Sequence, residues 1–281
     1  MLPPHRHSQD GDAPIRATDN DAALARLSAV QKGYFDDPFI TYLVPRAHLQ
    51  PPRPPLINVG TFVRSQAIDN LVDQWLSFSK AGNRPCQIVS LGAGSDTRFW
   101  RIANGPHKDI LAAYVEVDFP EVTTKKAMVI RKNLSEALGS PSDIHIIHGG
   151  TGVRSPKYHL IPADLRLPPS EKLENLLFSP NSDSSSTEDK PILSTSLPTL
   201  LLFECVLVYV SPSQSSRLLG WFVDKFSKSE SIDGILGCIV YEMFGLNDAF
   251  GRVMVNNLKA RNVFLPGAEP YPTIDRVPAK F

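Results

Sequence analysis

Two glycines and three carboxylates are the residues of this sequence that are best placed to bind a ligand. Residues 87–91 form a short apolar run that ends at a G-x-G pair, of which Gly92 is the first member. Such a run between turn formers predicts a buried strand, and glycines at its end allow a sharp turn and the close approach of a ligand. Asp118, Asp164 and Glu204 each fall at or near the end of another strand-like run. Because the carboxyl ends of parallel strands meet at one edge of a sheet, we expect these residues to surround one crevice.

The glycine loop distinguishes between classes of cofactor. A dinucleotide fold expects G-x-G-x-x-G, and Thr97 occupies the position of the third glycine here. That glycine permits close packing of helix and strand, so its absence counts against NAD or FAD. S-adenosylmethionine (SAM) has no pyrophosphate to cradle, and Asp118 lies where an acidic residue hydrogen-bonds ribose hydroxyls. SAM is therefore the favoured cofactor, and a nicotinamide enzyme is the next alternative.

The other two carboxylates each allow two interpretations. Glu204 interrupts an almost wholly apolar run, where an unpaired charge would be costly. Either the ligand or a structural arginine partner must satisfy it. Asp164 is either a further ligand contact or a solvated loop acid.

Arg64 is the candidate for binding a carboxylate. Apolar residues recur at helical spacing through residues 61–79 and predict an amphipathic helix. Arg64 would lie in its first turn, where the helix dipole disfavours a cation, and Ile68 places it beside the apolar stripe. An anionic partner would explain this placement, most simply the carboxylate of the methionine part of SAM. An exposed arginine lying along the stripe explains it equally well.

The composition is that of an ordinary α/β protein. The chain has 281 residues with 29 basic and 29 acidic side chains, so no charge excess indicates a nucleic-acid partner. Strand-like and helical segments alternate, which predicts a mostly parallel sheet with flanking helices. We expect residues 1–18 to be a disordered lead-in and 19–281 to be one domain, with a Ser-rich insert loop at 181–197. No signal-peptide core, membrane-spanning run or metal-ligand spacing is found, so we expect a cytoplasmic protein that binds no metal or membrane. We also expect a monomer.

Several blocks of the sequence together resemble one family. They are GYFDDP at 33–38, LGAGSDTR at 91–98, VEVDFP at 115–120, ADLR at 163–166 and ECVLVY at 204–209. In this order and spacing they resemble the leucine carboxyl methyltransferases, which methylate the C-terminal leucine of the protein phosphatase 2A catalytic subunit. The resemblance covers residues 19–261, departs at the Ser-rich insert, and implies a Rossmann-like SAM-dependent methyltransferase sheet.

The resemblance also implies a set of cofactor contacts and a partner. The implied SAM-binding residues are Arg26, Arg64, Gly92, Asp118, Asp164, Leu165 and Glu204. Arg26 replaces a lysine of the family, and an arginine differs from a lysine in reach and geometry. The implied partner is the C-terminal tail of the phosphatase catalytic subunit. No catalytic side chain is expected, because a terminal carboxylate with a pKa of about 3.3–3.7 is already a nucleophile at neutral pH.

Three other functions remain open from the sequence. One is the related enzyme of tRNA wybutosine synthesis, although that family carries a long C-terminal repeat region that is not found here. Another is a small-molecule O-methyltransferase with the same glycine loop. The third is a truncated, non-catalytic phosphatase-binding protein, because no closing strands follow the predicted strand at 234–244. Without such strands we expect an exposed sheet edge and exposed apolar core.

Overall fold

A seven-stranded mixed sheet forms the centre of the protein. The structure is a computed structural model, and it describes residues 10–179, 190–229, 231 and 234–268. The strands are β1 (Cys86–Leu91), β2 (Leu111–Asp118), β3 (His145–Ile147), β4 (Gly152–Arg154), β5 (Tyr158–Pro162), β6 (Thr199–Glu204) and β7 (Leu236–Tyr241). Their order in the sheet is β3-β4-β5-β2-β1-β6-β7.

The five strands from β5 to β7 across the sheet are parallel, as expected from the alternation of strands and helices. β1 pairs with β2 and β6, β2 with β5, and β6 with β7, all in parallel. β3 and β4 add an antiparallel hairpin at the other end. The chain order around β1 reverses direction between β2 and β6, and such a switch point is where open α/β sheets bind ligands.

Helices cover both faces of the sheet. They are α1 (Ala13–Gln31), α2 (Ile40–Leu43), α3 (Pro55–Ala81), α4 (Arg98–Ala103), α5 (Pro120–Val129), α6 (Pro169–Lys172), α7 (Glu174–Leu177), α8 (Pro212–Ser227) and α9 (Ala249–Ala260). On one face, Ile68 and Leu76 of α3 pack in a cluster with Trp100 of α4. On the other face, Leu218 and Phe222 of α8 pack against the sheet.

The structure corrects the predicted start of α1. The helix begins at Ala13, with Pro14 in its first turn, where the missing N–H of proline costs nothing. The described part of the expected lead-in is therefore mostly helical, whereas residues 1–9 lie outside the described residues. Asp19, the first residue of the expected domain, therefore lies inside the helix.

The predicted start of α3 is also wrong. The helix begins at Pro55, after a proline-rich segment, so Arg64 lies in the helix interior rather than in its first turn. A proline is preorganised for the first helical position, which extends the helix toward its N-terminus. The helix dipole therefore gives no reason for Arg64 to need an anionic partner.

The apolar run at 199–210 forms a strand only over its first six residues. β6 ends at Glu204, and Cys205 takes a left-handed backbone conformation with φ of 56°. A helical turn, Leu207–Tyr209, follows. Helix α8 then begins with a capping box, in which Ser211 and Gln214 bond each other's backbone.

The Ser-rich insert lies partly within the described residues. Positions 181–189 are outside them. The following segment is not a loose surface loop, because Leu193 is buried and the backbone of Ser194 exchanges two hydrogen bonds of 2.8 Å with the side chain of Gln87. Long-range contacts of this kind leave no signal in a low-complexity sequence.

The edge of the sheet at β7 is open in the part of the chain that is described. β7 pairs with β6 on one side, and the described residues contain no strand after it. On the neighbouring α3, Val63, Leu71 and Phe78 are exposed. None of the described helices has both the length and the apolar composition that crossing a bilayer requires.

Candidate functional site

The glycine loop lies at the carboxyl end of β1 and contacts Asp118 at the end of β2. Gly92 and Gly94 have φ values of 68° and 50°, which residues other than glycine rarely adopt. A Cβ atom at Gly92 would lie 2.6 Å from a methyl group of Val206, so the space beside this residue admits only glycine. The backbone conformation of the loop therefore requires glycine at these positions.

Asp118 is held in place by two backbone donors. One oxygen accepts a hydrogen bond of 2.7 Å from the N–H of Gly94, and the other accepts one of 2.7 Å from the N–H of Phe119. A carboxylate has about four lone-pair positions, so acceptor capacity remains for further donors such as ribose hydroxyls. Burial outweighs these two hydrogen bonds and raises the pKa of Asp118 to about 6.

Arg64 and Glu204 meet above the end of β6. The Nε of Arg64 donates to Oε1 of Glu204 at 2.5 Å, and the guanidinium lies 5.6 Å from the centre of the Tyr241 ring. Among the described residues, no hydrogen bond engages the two terminal nitrogens of Arg64, and its side chain is 28% exposed. The Arg64 guanidinium is thus free to bind a carboxylate with these two nitrogens.

Glu204 has the arginine partners that one interpretation of the sequence required. Besides Arg64, Nη2 of Arg98 lies 3.3 Å from Oε2 of Glu204. Arg98 is almost fully buried and also donates to Asp69 at 2.8 Å and to Asp96 at 2.6 Å. The role of Arg98 is therefore to brace the acids around the site.

Asp69 of α3 belongs to this network and was missed from the sequence. It accepts from both Arg98 and Arg101. Burial alone would raise its pKa, but the two guanidinium groups hold the pKa of Asp69 at about 2. The only local signal was an acidic residue immediately after Ile68 of the apolar stripe, which is common on exposed helix faces.

Asp164 is a braced carboxylate rather than a solvated loop acid. It accepts from Nε and Nη2 of Arg166 at 2.9 and 2.7 Å. Arg166 also donates twice, at 2.7 Å each, to Asp12, which lies just before α1. Leu165 is buried in the core cluster beneath α8. Of the implied pair, Asp164 lies at the carboxyl edge of the sheet, and Leu165 contributes mainly to packing.

Arg26 is enclosed by groups from α3 and from the loop between α1 and α2. It donates to Asp37 at 2.5 Å and to Ser65 at 3.0 Å, and it lies 4.9 Å from the centre of the Phe35 ring. Its Nη2 is buried and has no hydrogen-bond partner among the described residues. Since buried polar groups are rarely left unpaired, this nitrogen is a candidate donor to a ligand.

Helix α1 also reaches the glycine loop through Asp19. Its carboxylate accepts from the backbone N–H of Ser95 at 2.6 Å and from the hydroxyl at 3.1 Å. A Cβ at Gly94 would lie 2.5 Å from Asp19, so the contact requires glycine at this position. Asp19 and Ser95 are 76 positions apart, and no local pattern could have indicated that they meet.

Comparisons with known proteins agree on one family. The family model described as Leucine carboxyl methyltransferase matches residues 15–187. Leucine carboxyl methyltransferase 1 of Cryptococcus neoformans is 42% identical, and the alignment covers 95% of this chain and 75% of that protein. The proteins of the same name from Aspergillus fumigatus and Bos taurus are 38% and 35% identical, with 96% and 92% of this chain and 70% of each relative aligned. The chain therefore belongs to the leucine carboxyl methyltransferase family.

Proposed function

We propose that the protein transfers the methyl group of SAM to the C-terminal leucine carboxylate of the protein phosphatase 2A catalytic subunit. Membership of the leucine carboxyl methyltransferase family supports methyl transfer, and a methyltransferase requires a methyl donor. The family resemblance supports the choice of acceptor, and the glycine loop with its surrounding carboxylates supports SAM as the cofactor.

The residues present fit SAM as the donor. Gly92 keeps the turn at the end of β1 in a conformation that other residues rarely adopt, and Asp118 retains lone pairs for ribose hydroxyls. Asp164 would present its braced carboxylate to the cofactor, and the buried unpaired nitrogen of Arg26 would donate to the amino-acid part. Glu204 would bind the ammonium group while its contact with Arg64 persists.

The observation that carries the proposal is that the two terminal nitrogens of Arg64 are available to a ligand. Its Nε is fixed by Glu204, while its two terminal nitrogens have no hydrogen bond with any described residue. A planar guanidinium held in this way can form two parallel hydrogen bonds to a carboxylate. We assign that position to the carboxylate of the methionine part of SAM.

The chemistry demands little proton transfer from the protein. The acceptor carboxylate, with a pKa of about 3.3–3.7, is ionised at neutral pH and needs no general base. SAM supplies a methyl group on a sulfonium, so the carboxylate oxygen forms the new C–O bond as the C–S bond breaks and its electron pair stays on sulfur. The protein must align the two reactants and remove water from the acceptor carboxylate. The braced network of Arg64, Glu204 and Arg98 serves this alignment because its members are fixed before the reactants arrive.

Methyl transfer is tested with labelled SAM and three acceptors. These are the phosphatase catalytic subunit, the same subunit without its terminal leucine, and a peptide of its tail with an amidated C-terminus. We expect label only on the intact subunit, and we expect base-labile label, as for a methyl ester. Label on the shortened or amidated acceptor would contradict the proposal.

The other functions considered from the sequence receive less support. The relatives reported above carry the name leucine carboxyl methyltransferase 1, which does not favour a tRNA-modifying or small-molecule enzyme. A non-catalytic phosphatase-binding protein remains an outcome of the same experiment, since it would bind the catalytic subunit without transferring label.

A further inference from the structure

Three side chains on one face of β2 lie beside the glycine loop, and two of them contact it directly. Tyr114, Glu116 and Asp118 alternate along the strand and point to the same side of the sheet. The hydroxyl of Tyr114 donates to the carboxylate of Asp96 at 3.2 Å, and Asp118 accepts from the N–H of Gly94 at 2.7 Å. Glu116, between them, acts on the loop through a fourth residue.

That residue is Lys126 of α5, whose side chain is 3% exposed. Its ammonium donates to the backbone carbonyls of Gly94 at 2.9 Å and Asp96 at 2.7 Å. It also lies 2.5 Å from Oε2 of Glu116 and 5.6 Å from the centre of the Trp100 ring. An ammonium has three donors, and here each has one acceptor, so Lys126 is fully engaged.

Glu116 fixes Lys126 from the opposite side. Its side chain is fully buried, and the hydroxyl of Tyr158 donates to the same oxygen at 2.7 Å. Its second oxygen, Oε1, is buried and without a hydrogen-bond partner among the described residues. A buried ion pair with an unsatisfied oxygen is an expensive way to stabilise a fold, since apolar residues often serve as well. The pair therefore calls for a role beyond stability.

We propose that Lys126, oriented by Glu116, is the positioning residue that holds the glycine loop in the conformation that receives the cofactor. The N–H of Gly94 is then bonded to Asp118 and its carbonyl to Lys126. These two hydrogen bonds fix the orientation of the peptide groups on both sides of Gly94. The inference rests on the proposed function in one respect, namely that the ligand of the loop is SAM.

The first test compares Lys126→Met with Lys125→Met. Lys125 is the exposed neighbour on the same helix and makes no contact with the loop, so it controls for loss of a lysine. We expect Lys126→Met to raise the Kd for SAM at least about tenfold, because two charge-assisted hydrogen bonds to the loop are lost. Lys125→Met should bind SAM as the wild-type protein does. Equal affinities of the two variants would overturn the proposal.

A second variant separates positioning from stability. Lys126→Met leaves the charge of Glu116 buried, which would itself destabilise the fold, and the double variant Lys126→Met/Glu116→Gln removes that charge. We expect the double variant to regain much of the urea midpoint while its Kd for SAM stays raised, because the two carbonyls still lack their donor. If SAM affinity recovers together with stability, the pair has a structural role only and the proposal is wrong.

Amide hydrogen exchange tests, without any ligand, whether Lys126 holds the glycine loop in place. We expect the amides of residues 94–97 to exchange at least about tenfold faster in the double variant than in wild-type protein, while those of β6 keep their protection. Failure of wild-type protein to bind SAM would refute the proposed function alone. Unchanged exchange at residues 94–97 would refute the role of Lys126 alone.

Discussion

Arg64 and Glu204 are 140 residues apart in the chain, and Nε of the one lies 2.5 Å from Oε1 of the other. Arg64 comes from the middle of α3, and Glu204 is the last residue of β6. Burial works against the charge of Arg64, but the nearby carboxylate outweighs it and raises the pKa of this guanidinium above its ordinary value. Arg64 therefore stays charged at every pH at which the protein is folded.

Replacing Arg64 by alanine should weaken SAM binding. Loss of a bidentate, charge-assisted contact is expected to raise the Kd about 10- to 100-fold. Isothermal titration with SAM would measure this change. Arg131→Ala is the matched control, because Arg131 is exposed and makes no hydrogen bond or ion pair with the described residues of the network. An Arg64→Ala protein that binds SAM and transfers methyl groups as the control does would remove Arg64 from the site.

Gly92→Ala should damage both stability and binding. The new Cβ would lie 2.6 Å from Val206 at a φ of 68°, so we expect a loss of about 1–3 kcal/mol in the free energy of unfolding. Gly220→Ala is the control, since this exposed glycine within α8 has open space around it. That substitution should stabilise the protein by roughly 0.5–1 kcal/mol. Urea unfolding of both variants would show opposite shifts if the geometry of Gly92 is correctly described.

The affinity for SAM should depend on pH through Asp118. Its pKa of about 6 in the unliganded protein means that its carboxylate, the form that accepts from ribose hydroxyls, is lost as the pH falls below that value. We expect the Kd to rise from pH 7 to pH 5, a range in which the α-amino group (pKa about 7.7–8.0) and α-carboxyl group of an amino acid do not titrate appreciably. Asp118→Asn should bind more weakly and should have a flatter pH profile. A profile equally steep in the variant would assign the titration to another group.

The stability of the unliganded protein should fall as the pH rises through the range in which Glu116 titrates. Burial, only partly offset by Lys126, raises the pKa of Glu116 from 4.5 to about 7. Between these two values the folded state binds more protons than the unfolded state, so stability decreases with increasing pH and levels off above about pH 7. Unfolding at pH 5 and pH 7.5 would measure the change. The slope should be smaller in Glu116→Gln, and an unchanged slope would contradict the assignment.

Local patterns in the sequence predicted much of the framework. The apolar run at 87–91 is β1 apart from one residue, and the helical periodicity at 61–79 lies within α3. These features depend on neighbours within a few residues, and such short-range preferences are visible in a linear sequence. The G-x-G spacing likewise predicted a turn whose glycines have positive φ.

Helix starts were predicted less well, and one error changed an argument. Pro14 opens α1 within the expected lead-in. Pro55 opens α3 earlier than the apolar periodicity suggested, which moved Arg64 away from the positive end of the helix dipole. A proline in the first turn is compatible with a loop as well as with a helix, so the sequence did not distinguish between them. Arg64 has an anionic partner nonetheless, for a reason that lies in the tertiary structure.

By itself, the sequence determined the α/β class, the glycine loop, the carboxylates at the strand ends and the family to which the chain belongs. Only the tertiary structure decided which charges meet. Glu204 lies between Arg64 and Arg98, and Asp19 of α1 reaches Ser95. Lys126 lies against the carbonyls of the glycine loop. The physical reason is that these pairings depend on the strand order of the sheet and on how the helices cross it, which bring together residues separated by 30 to 140 positions.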